Sequence, residues 1–192
     1  MPVSRKRVEA AAAEVLRAAG VRKPPVPVEA IVLRYGLQVR YQPLQSDLSG
    51  FLYRGTDQTV VGVNSTHATV RQRFTIAHEL GHYLLHRSHR LRIDRAVLTR
   101  SQGDHLRGKG DRDEVEANRF AAAVLLPDEL LRHDVEARQP LDVLHDEGAV
   151  RALARRYRVS TQALVLRLRE LGYVDLGYAE GYLERESTIH RP

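Results

Sequence analysis

Two histidines and a glutamate stand close together in the segment Phe74–His86. His78 and His82 are four residues apart, so on a helix their rings project from nearly the same face, about one turn apart. That spacing lets two ring nitrogens reach one metal ion at roughly 2.0–2.1 Å. Glu79 lies beside His78 and could take a proton from water without binding the metal itself. The segment therefore predicts a catalytic metal site with Glu79 as its base.

A tetrahedral site that keeps one open position needs a third protein ligand. His86 lies on the same stripe, but eight residues beyond the first histidine is about 12 Å along the axis, too far to share one ion. Glu116 is the better candidate, because in the next predicted helix it shares a face with Phe120 and Ala123, and a buried carboxylate needs a cationic partner. Glu114 falls toward the side of that helix and is the alternative ligand. A salt bridge from Glu116 to an arginine is the alternative interpretation.

The elements that position these side chains follow from the apolar pattern. Helices are predicted at residues 3–19, 28–34, 64–86, 113–126 and, around a turn, 147–171. Short strands are predicted at residues 37–42, 51–53 and 59–63. Asn64, Ser65 and Thr66 are expected to cap the metal-binding helix. The order predicts an α+β fold: a small three-stranded antiparallel sheet, a zincin-like His-Glu-x-x-His helix, a Glu-bearing helix and a helical C-terminal part.

The composition narrows the classes of function. The chain of 192 residues has no cysteine, which excludes disulfides, cysteine-ligated metal centres and a cysteine nucleophile. Its formal net charge of +6 suits nucleic acid or an acidic protein partner, but also an ordinary arginine-rich surface. The sequence has no apolar run long enough to cross a bilayer, and Glu9, Glu14 and Arg17 break the stretch that a signal peptide would need. We therefore expect a cytoplasmic protein without membrane contact.

Two stretches of the sequence resemble one known family. The segment Arg71–His82 and the segment Glu116–Pro127 are similar to the paired helices of the ImmA/IrrE metallopeptidases. Residues 28–39 and 48–51 also match the usual opening of that family. The resemblance covers about residues 25–170.

The resemblance implies a gluzincin-like zinc endopeptidase. Its metal ligands would be His78, His82 and Glu116, with zinc as the metal and manganese as the alternative, and Glu79 would be the catalytic base. The role of the family implies cleavage of an XRE-type helix-turn-helix repressor, which derepresses stress or mobile-element genes. The corresponding organisation is a metallopeptidase domain at residues 1–135, a helical C-terminal region at 136–172 and a tail at 173–192.

A rival interpretation comes from residues 152–169, which have helix-turn-helix character, with Ser160 or Thr161 capping the second helix. Together with the positive charge, this pattern supports a DNA-binding regulator. The second helix is crowded with apolar residues, however, so core packing is the favoured interpretation and DNA contact the alternative. A further alternative is an antitoxin-type scaffold that has the protease fold without hydrolysis. The intact Glu79 argues against that scaffold.

Two details complete the expectations. The segment Gly103–Gly110 has the spacing of a phosphate-binding loop, but Gly110 stands where the loop needs Ser or Thr, so we predict no nucleotide binding.

A group must also stabilise the oxyanion that forms during peptide hydrolysis. The sequence leaves this group open between Tyr53, Tyr83 and an arginine.

Overall fold

The structure, a computed structural model, describes residues 5–86, 91–95, 109–136, 147–174 and 177–182. Residues 103–108 of the segment that has the spacing of a phosphate-binding loop lie outside the described residues. The chain forms two compact units, the first from residues 1–21 and 26–125 and the second from residues 22–25 and 126–192. Among the described helices, none is both long and apolar enough to span a lipid bilayer.

The first unit begins with two helices that each bury one apolar stripe. Helix α1 (Arg5–Ala18) buries Val8, Ala12 and Val15, which follow the spacing of one helix face. Helix α2 (Val28–Arg34) buries Val28, Ile31 and Val32. Both helices were predicted, and the buried residues of both belong to the core of the first unit.

Four strands form a mixed sheet. They are β1 (Leu37–Gln42), β2 (Leu48–Arg54), β3 (Thr59–Asn64) and β4 (Leu91–Arg95), in the order β1-β3-β2-β4. Strand β3 is parallel to β1 and antiparallel to β2, and β2 is antiparallel to β4. The α+β class is confirmed.

The sheet differs from the expected one in two details: it has a fourth strand, and it is not wholly antiparallel. The parallel pair arises because β3 lies between β1 and β2 in the sheet. Strands β1 and β2, although consecutive in the chain, are therefore not neighbours. Alternation along one strand predicts which residues share a face, but not which strand pairs with it. The near-continuous burial of β3 fits its central place.

Asn64 has a different role from the predicted cap. Helix α3 (Thr69–Leu85) begins with Ala68 as its N-cap residue, which makes no side-chain cap hydrogen bond. Asn64 is instead fully buried at the end of β3, and its amide group donates to the carbonyl of Leu48 at 2.8 Å. Its Oδ1 accepts from the backbone N–H of Leu44 at 3.2 Å and of Thr66 at 3.1 Å. Asn64 thus ties the loop before β2 to the chain that leads into α3.

Three longer helices lie in the described part of the second unit. They are α5 (Asp128–Glu136), α6 (Glu147–Tyr157) and α7 (Thr161–Leu171). The predicted cap is confirmed, because Ser160 Oγ accepts a hydrogen bond from the N–H of Ala163. The turn 158–160 joins α6 to α7, as the sequence predicts, whereas DNA-binding character of this pair stays a prediction.

Arginine and tyrosine side chains hold the helices of the second unit together. Arg167 on α7 is 1% exposed and donates from Nε to the carbonyl of Leu126 and from Nη1 to Glu170. Tyr157 donates from its hydroxyl to Asp134 on α5 at 3.0 Å. A short helical segment at 177–182 lies within the predicted tail. The predicted domain limits at 135 and 172 stay predictions.

Candidate metal centre

Helix α3 brings two imidazole rings face to edge. His78 and His82 are 1% and 0% exposed, and their Nε2 atoms are 2.8 Å apart. Glu79, between them in sequence, is also fully buried. These three polar side chains share the helix with Ile76 and Leu80, whose burial anchors it in the core. The predicted His-Glu-x-x-His helix is therefore present, with both histidine Nε2 atoms converging on one point.

A close helix crossing determines what faces this point. Helix α4 (Lys109–Leu125) approaches α3 so tightly at Gly81 that a Cβ there would lie 3.1 Å from Phe120 Cδ1 and 3.2 Å from Ala117 Cα. Only glycine leaves this contact without a displacement of the neighbouring atoms. Gly81 thus has a packing role, which is to let α4 lie against α3.

Glu114 is the acidic residue that α4 presents to the two rings. Its Oε2 lies 3.2 Å from His78 Nε2, and its Oε1 lies 3.4 Å from His82 Nε2. The three side chains offer ligand atoms that all lie within 4.8 Å of one another. Two imidazoles and one carboxylate at this spacing fit a divalent metal ion.

The environment of Glu114 favours its anionic form. Burial alone would raise the pKa of this carboxyl group, but contacts with His78 and His82 outweigh burial and hold the pKa well below its ordinary value. The side chain keeps 26% of its surface exposed, so solvent still reaches the centre from this side. A negatively charged carboxylate beside two imidazole nitrogens is a donor set that suits a divalent metal ion.

Glu116 lies in a different place from the predicted one. Its carboxylate is buried, as its helix face implies, but Oε2 is 3.0 Å from Nε2 of His86, the next histidine along α3. The two helices run antiparallel at this contact, so Asn118 faces His78 and Asp113 faces His86. A helical projection of α4 alone indicates which residues are buried, but not which turn of α3 lies opposite each one. The structure therefore brings Glu114, the alternative candidate, to the paired histidines.

Comparison with known proteins identifies the family of the chain. The family model described as Peptidase_M78, IrrE N-terminal-like domain, matches residues 32–169. The chain belongs to this family. The resemblance to ImmA/IrrE metallopeptidases is thereby confirmed, and membership in the M78 family indicates a metalloprotease-like fold.

A solved structure is also similar to this M78 family member. It is a Mycobacterium tuberculosis transcriptional regulator, with a TM-score of 0.57 and 18% sequence identity over 85% of this chain and 46% of that one. The chain therefore spans less than half the length of that protein, and the likeness concerns the fold alone. No curated protein sequence matches the chain.

The outer contacts of this M78 site suit its donor atoms to a metal. His78 Nδ1 is 2.9 Å from Asn118 Oδ1, and His82 Nδ1 is 3.0 Å from His86 Nδ1. A neutral imidazole carries one N–H, and when its Nδ1 donates to an acceptor its Nε2 keeps a free electron pair. Both rings can therefore present Nε2 electron pairs to the same point. Neither Asn118 nor His86 was predicted to contact a histidine Nδ1. A signal for Asn118 was present, because it lies four residues after Glu114, just as His82 lies four residues after His78.

Two of the groups considered for the oxyanion, Arg54 and Tyr83, lie near the C-terminal end of α3. Arg54 on β2 donates from Nη2 to the carbonyls of His82 at 2.9 Å and His86 at 2.8 Å, and its guanidinium lies 5.7 Å from the centre of the Tyr83 ring. These bonds satisfy carbonyl groups at the end of the helix, and they place a positive charge at the negative end of the helix dipole, which is favourable. Tyr53, the neighbour of Arg54 on β2, is 39% exposed. The choice among these groups stays a prediction.

Proposed function

We propose that this protein is a zinc-dependent endopeptidase whose metal ligands are His78, His82 and Glu114. The convergence of two histidine Nε2 atoms and the Glu114 carboxylate, all within 4.8 Å, is the observation that carries the proposal. Two nitrogens and one oxygen from protein, with a fourth position open, are the donor set of catalytic zinc sites in proteases. This assignment replaces Glu116, whose carboxylate contacts His86.

The metal, when bound, supplies a Lewis acid that polarises the scissile carbonyl and makes water a better nucleophile at neutral pH. Glu79 is the base. Its carboxylate, buried beside His78, takes a proton from water as the water oxygen adds to the carbonyl carbon. It then gives that proton to the amide nitrogen as the C–N bond breaks. A free amine and a carboxylic acid are the products.

Asn118 and Glu114 have different roles in this mechanism. Asn118 accepts the Nδ1–H of His78 at 2.9 Å and so fixes the ring with Nε2 aimed inward. Glu114 contributes negative charge that offsets the ion, and its solvent-facing side leaves a path for water. Burial of Glu79 limits its contact with bulk solvent, which strengthens its interaction with nearby charge.

The substrate we propose is a helix-turn-helix transcriptional repressor, cleaved in the cytoplasm so that the genes it represses are expressed. Membership in the M78 family and the resemblance to ImmA/IrrE peptidases support this choice. The net charge of +6 agrees with a partner that carries an acidic surface.

Metal content tests the ligand set. The purified wild-type chain should contain one zinc ion, and His78→Ala, His82→Ala and Glu114→Gln should each lose it or bind it much more weakly. Glu129→Gln, an exposed carboxylate on α5, is the matched control and should keep full occupancy. Full occupancy in the Glu114→Gln variant would contradict the ligand set proposed here.

Cleavage tests the reaction. The zinc-loaded chain is incubated with purified helix-turn-helix repressors encoded near its own gene, and fragments are identified by mass spectrometry. Glu79→Gln should keep its zinc and its thermal unfolding midpoint, while the rate falls by about 10²–10⁴-fold because the base is gone. Wild-type derepression in cells that carry only Glu79→Gln would instead indicate sequestration of the repressor without hydrolysis.

A further inference from the structure

A second cluster lies directly behind the paired histidines. His86 is buried at the end of α3, with Nδ1 3.0 Å from Nδ1 of His82 and Nε2 3.0 Å from Glu116 Oε2. Asp113 Oδ1 lies 3.7 Å from the same Nε2. The ring of His86 therefore stands between a proposed metal ligand and a buried carboxylate, and it touches both with opposite nitrogens.

The number of protons on these rings determines what the cluster can do. Each neutral imidazole has one N–H donor and one electron pair. If His82 uses Nε2 to bind metal, its proton is on Nδ1 and points at Nδ1 of His86. That atom must then accept, which places the proton of His86 on Nε2, 3.0 Å from the Glu116 carboxylate. The ring N–H groups of His82 and His86 then each meet an acceptor.

The same count argues against a second metal ion on His86, Asp113 and Glu116, whose ligand atoms also lie within 4.8 Å of one another. An ion on His86 Nε2 would move the proton of His86 to Nδ1, which would then donate to His82. The proton of His82 would have to be on Nε2, the atom that faces His78 and Glu114. Two ions would therefore place an N–H on both facing Nδ1 atoms, unless one ring lost its only N–H proton.

We propose that His86 and Glu116 are positioning residues that form a hydrogen-bond relay behind the metal site, from His82 through His86 to Glu116. This inference rests on the proposed zinc site. The relay orients the His82 ring. It also makes Nε2 of His82 a stronger electron-pair donor to the metal, because negative charge on Glu116 polarises the two imidazoles in series. His78 has a neutral amide, Asn118, in the corresponding place, so the two histidine ligands are supported unequally.

The test measures the zinc affinity of the full chain by competition with a chromogenic chelator. His86→Leu removes both contacts and should weaken zinc binding by about 10–100-fold. His86→Gln keeps an acceptor and a donor on one amide and should recover part of the loss. Glu116→Gln keeps the shape but removes the charge, and it should weaken binding less than His86→Leu. Glu147→Gln, a carboxylate on α6, is the matched control and should bind zinc as the wild type does.

A double variant separates a relay from simple packing. Because Glu116 acts through His86, His86→Leu with Glu116→Gln should bind zinc as weakly as His86→Leu alone. In the cobalt-substituted protein, Glu116→Gln should shift the visible absorption bands with the number of bound ions unchanged. Additive losses, or unchanged affinity in His86→Leu and Glu116→Gln, would overturn the relay.

The stoichiometry of bound zinc distinguishes the remaining outcomes. Two zinc ions per chain, with one lost in His86→Leu, would show that the cluster is a metal site and would overturn the relay. One zinc that is lost in His78→Ala but unaffected in both relay variants would refute the relay and leave the proposed function intact. A wild-type chain that binds no zinc would overturn both proposals.

Discussion

Asn118 Oδ1 lies 2.9 Å from Nδ1 of His78, so an amide on one helix fixes the ring of a proposed ligand on another. We expect Asn118→Leu to weaken zinc binding by about 10–100-fold, because the ring loses the acceptor that orients it. Asn118→Asp keeps an acceptor and should stay closer to the wild type. Chelator competition measures both, with the exposed Gln162→Leu as a control for replacing a side-chain amide by leucine. Wild-type affinity in Asn118→Leu would contradict the role given to the amide.

Gly81 controls the distance between α3 and α4. We expect Gly81→Val to lower the free energy of unfolding by about 1–3 kcal/mol, because the added carbons meet Phe120 and the backbone of Ala117. The displaced α4 should also carry Glu114 away from the histidines and weaken zinc binding. Ala13→Val, at an exposed position of α1, introduces the same β-branched side chain without a crossing helix. Urea unfolding and zinc titration of both variants check the prediction, and equal small effects in the two would refute it.

Asn64 is predicted to matter for stability more than for chemistry. Replacing it with alanine leaves half-buried backbone groups of Leu44 and Leu48 without its amide, at a cost of about 1–3 kcal/mol in the free energy of unfolding. The midpoint of urea unfolding should fall accordingly, whereas the exposed Gln58→Ala should leave it nearly unchanged. A loss of zinc affinity in Asn64→Ala with wild-type stability would be the contrary result.

The helix pair α6–α7 is predicted not to recognise DNA sequences. Arg167 is buried against Leu126 and Glu170, so it is not available to bases or phosphates. We expect only weak, salt-sensitive binding in gel-shift assays, reduced uniformly across sequences when the exposed Arg155 becomes alanine. Tight binding to one sequence that Arg155→Ala abolishes would favour a DNA-binding regulator.

The side chains of the candidate site that the structure brings together as expected depend on local spacing. His78 and His82 occupy one helix face because four residues make about one turn, whatever surrounds the helix. The burial of Glu116 was also predictable, since it follows the stripe of Phe120. The choice between Glu114 and Glu116 was not, because it depends on where α4 crosses α3, and the contact at Gly81 determines that crossing.

The sheet shows the same division between local and non-local information. The three predicted strands are present because alternating and β-branched residues favour extended backbone at those positions. The pairing of β1 with β3 depends on contacts between residues far apart in sequence, and no pattern within β1 specifies that partner. Asn64 illustrates the point within one residue. Its type suits a helix cap, but burial beside the loop before β2 gives its amide other partners.

The antiparallel contact of α3 with α4 would, in the proposed zinc site, couple metal concentration to folding. An ion held by His78 and His82 from one helix and Glu114 from the other would act as a reversible cross-link between segments distant in the chain. A ligand that binds only the native state raises the free energy of unfolding by about 2.7 kcal/mol when its free concentration is one hundred times Kd. For a domain with about 5–15 kcal/mol of total stability, that gain is a substantial fraction. Zinc supply would then set the folded fraction of the protein as well as its activity.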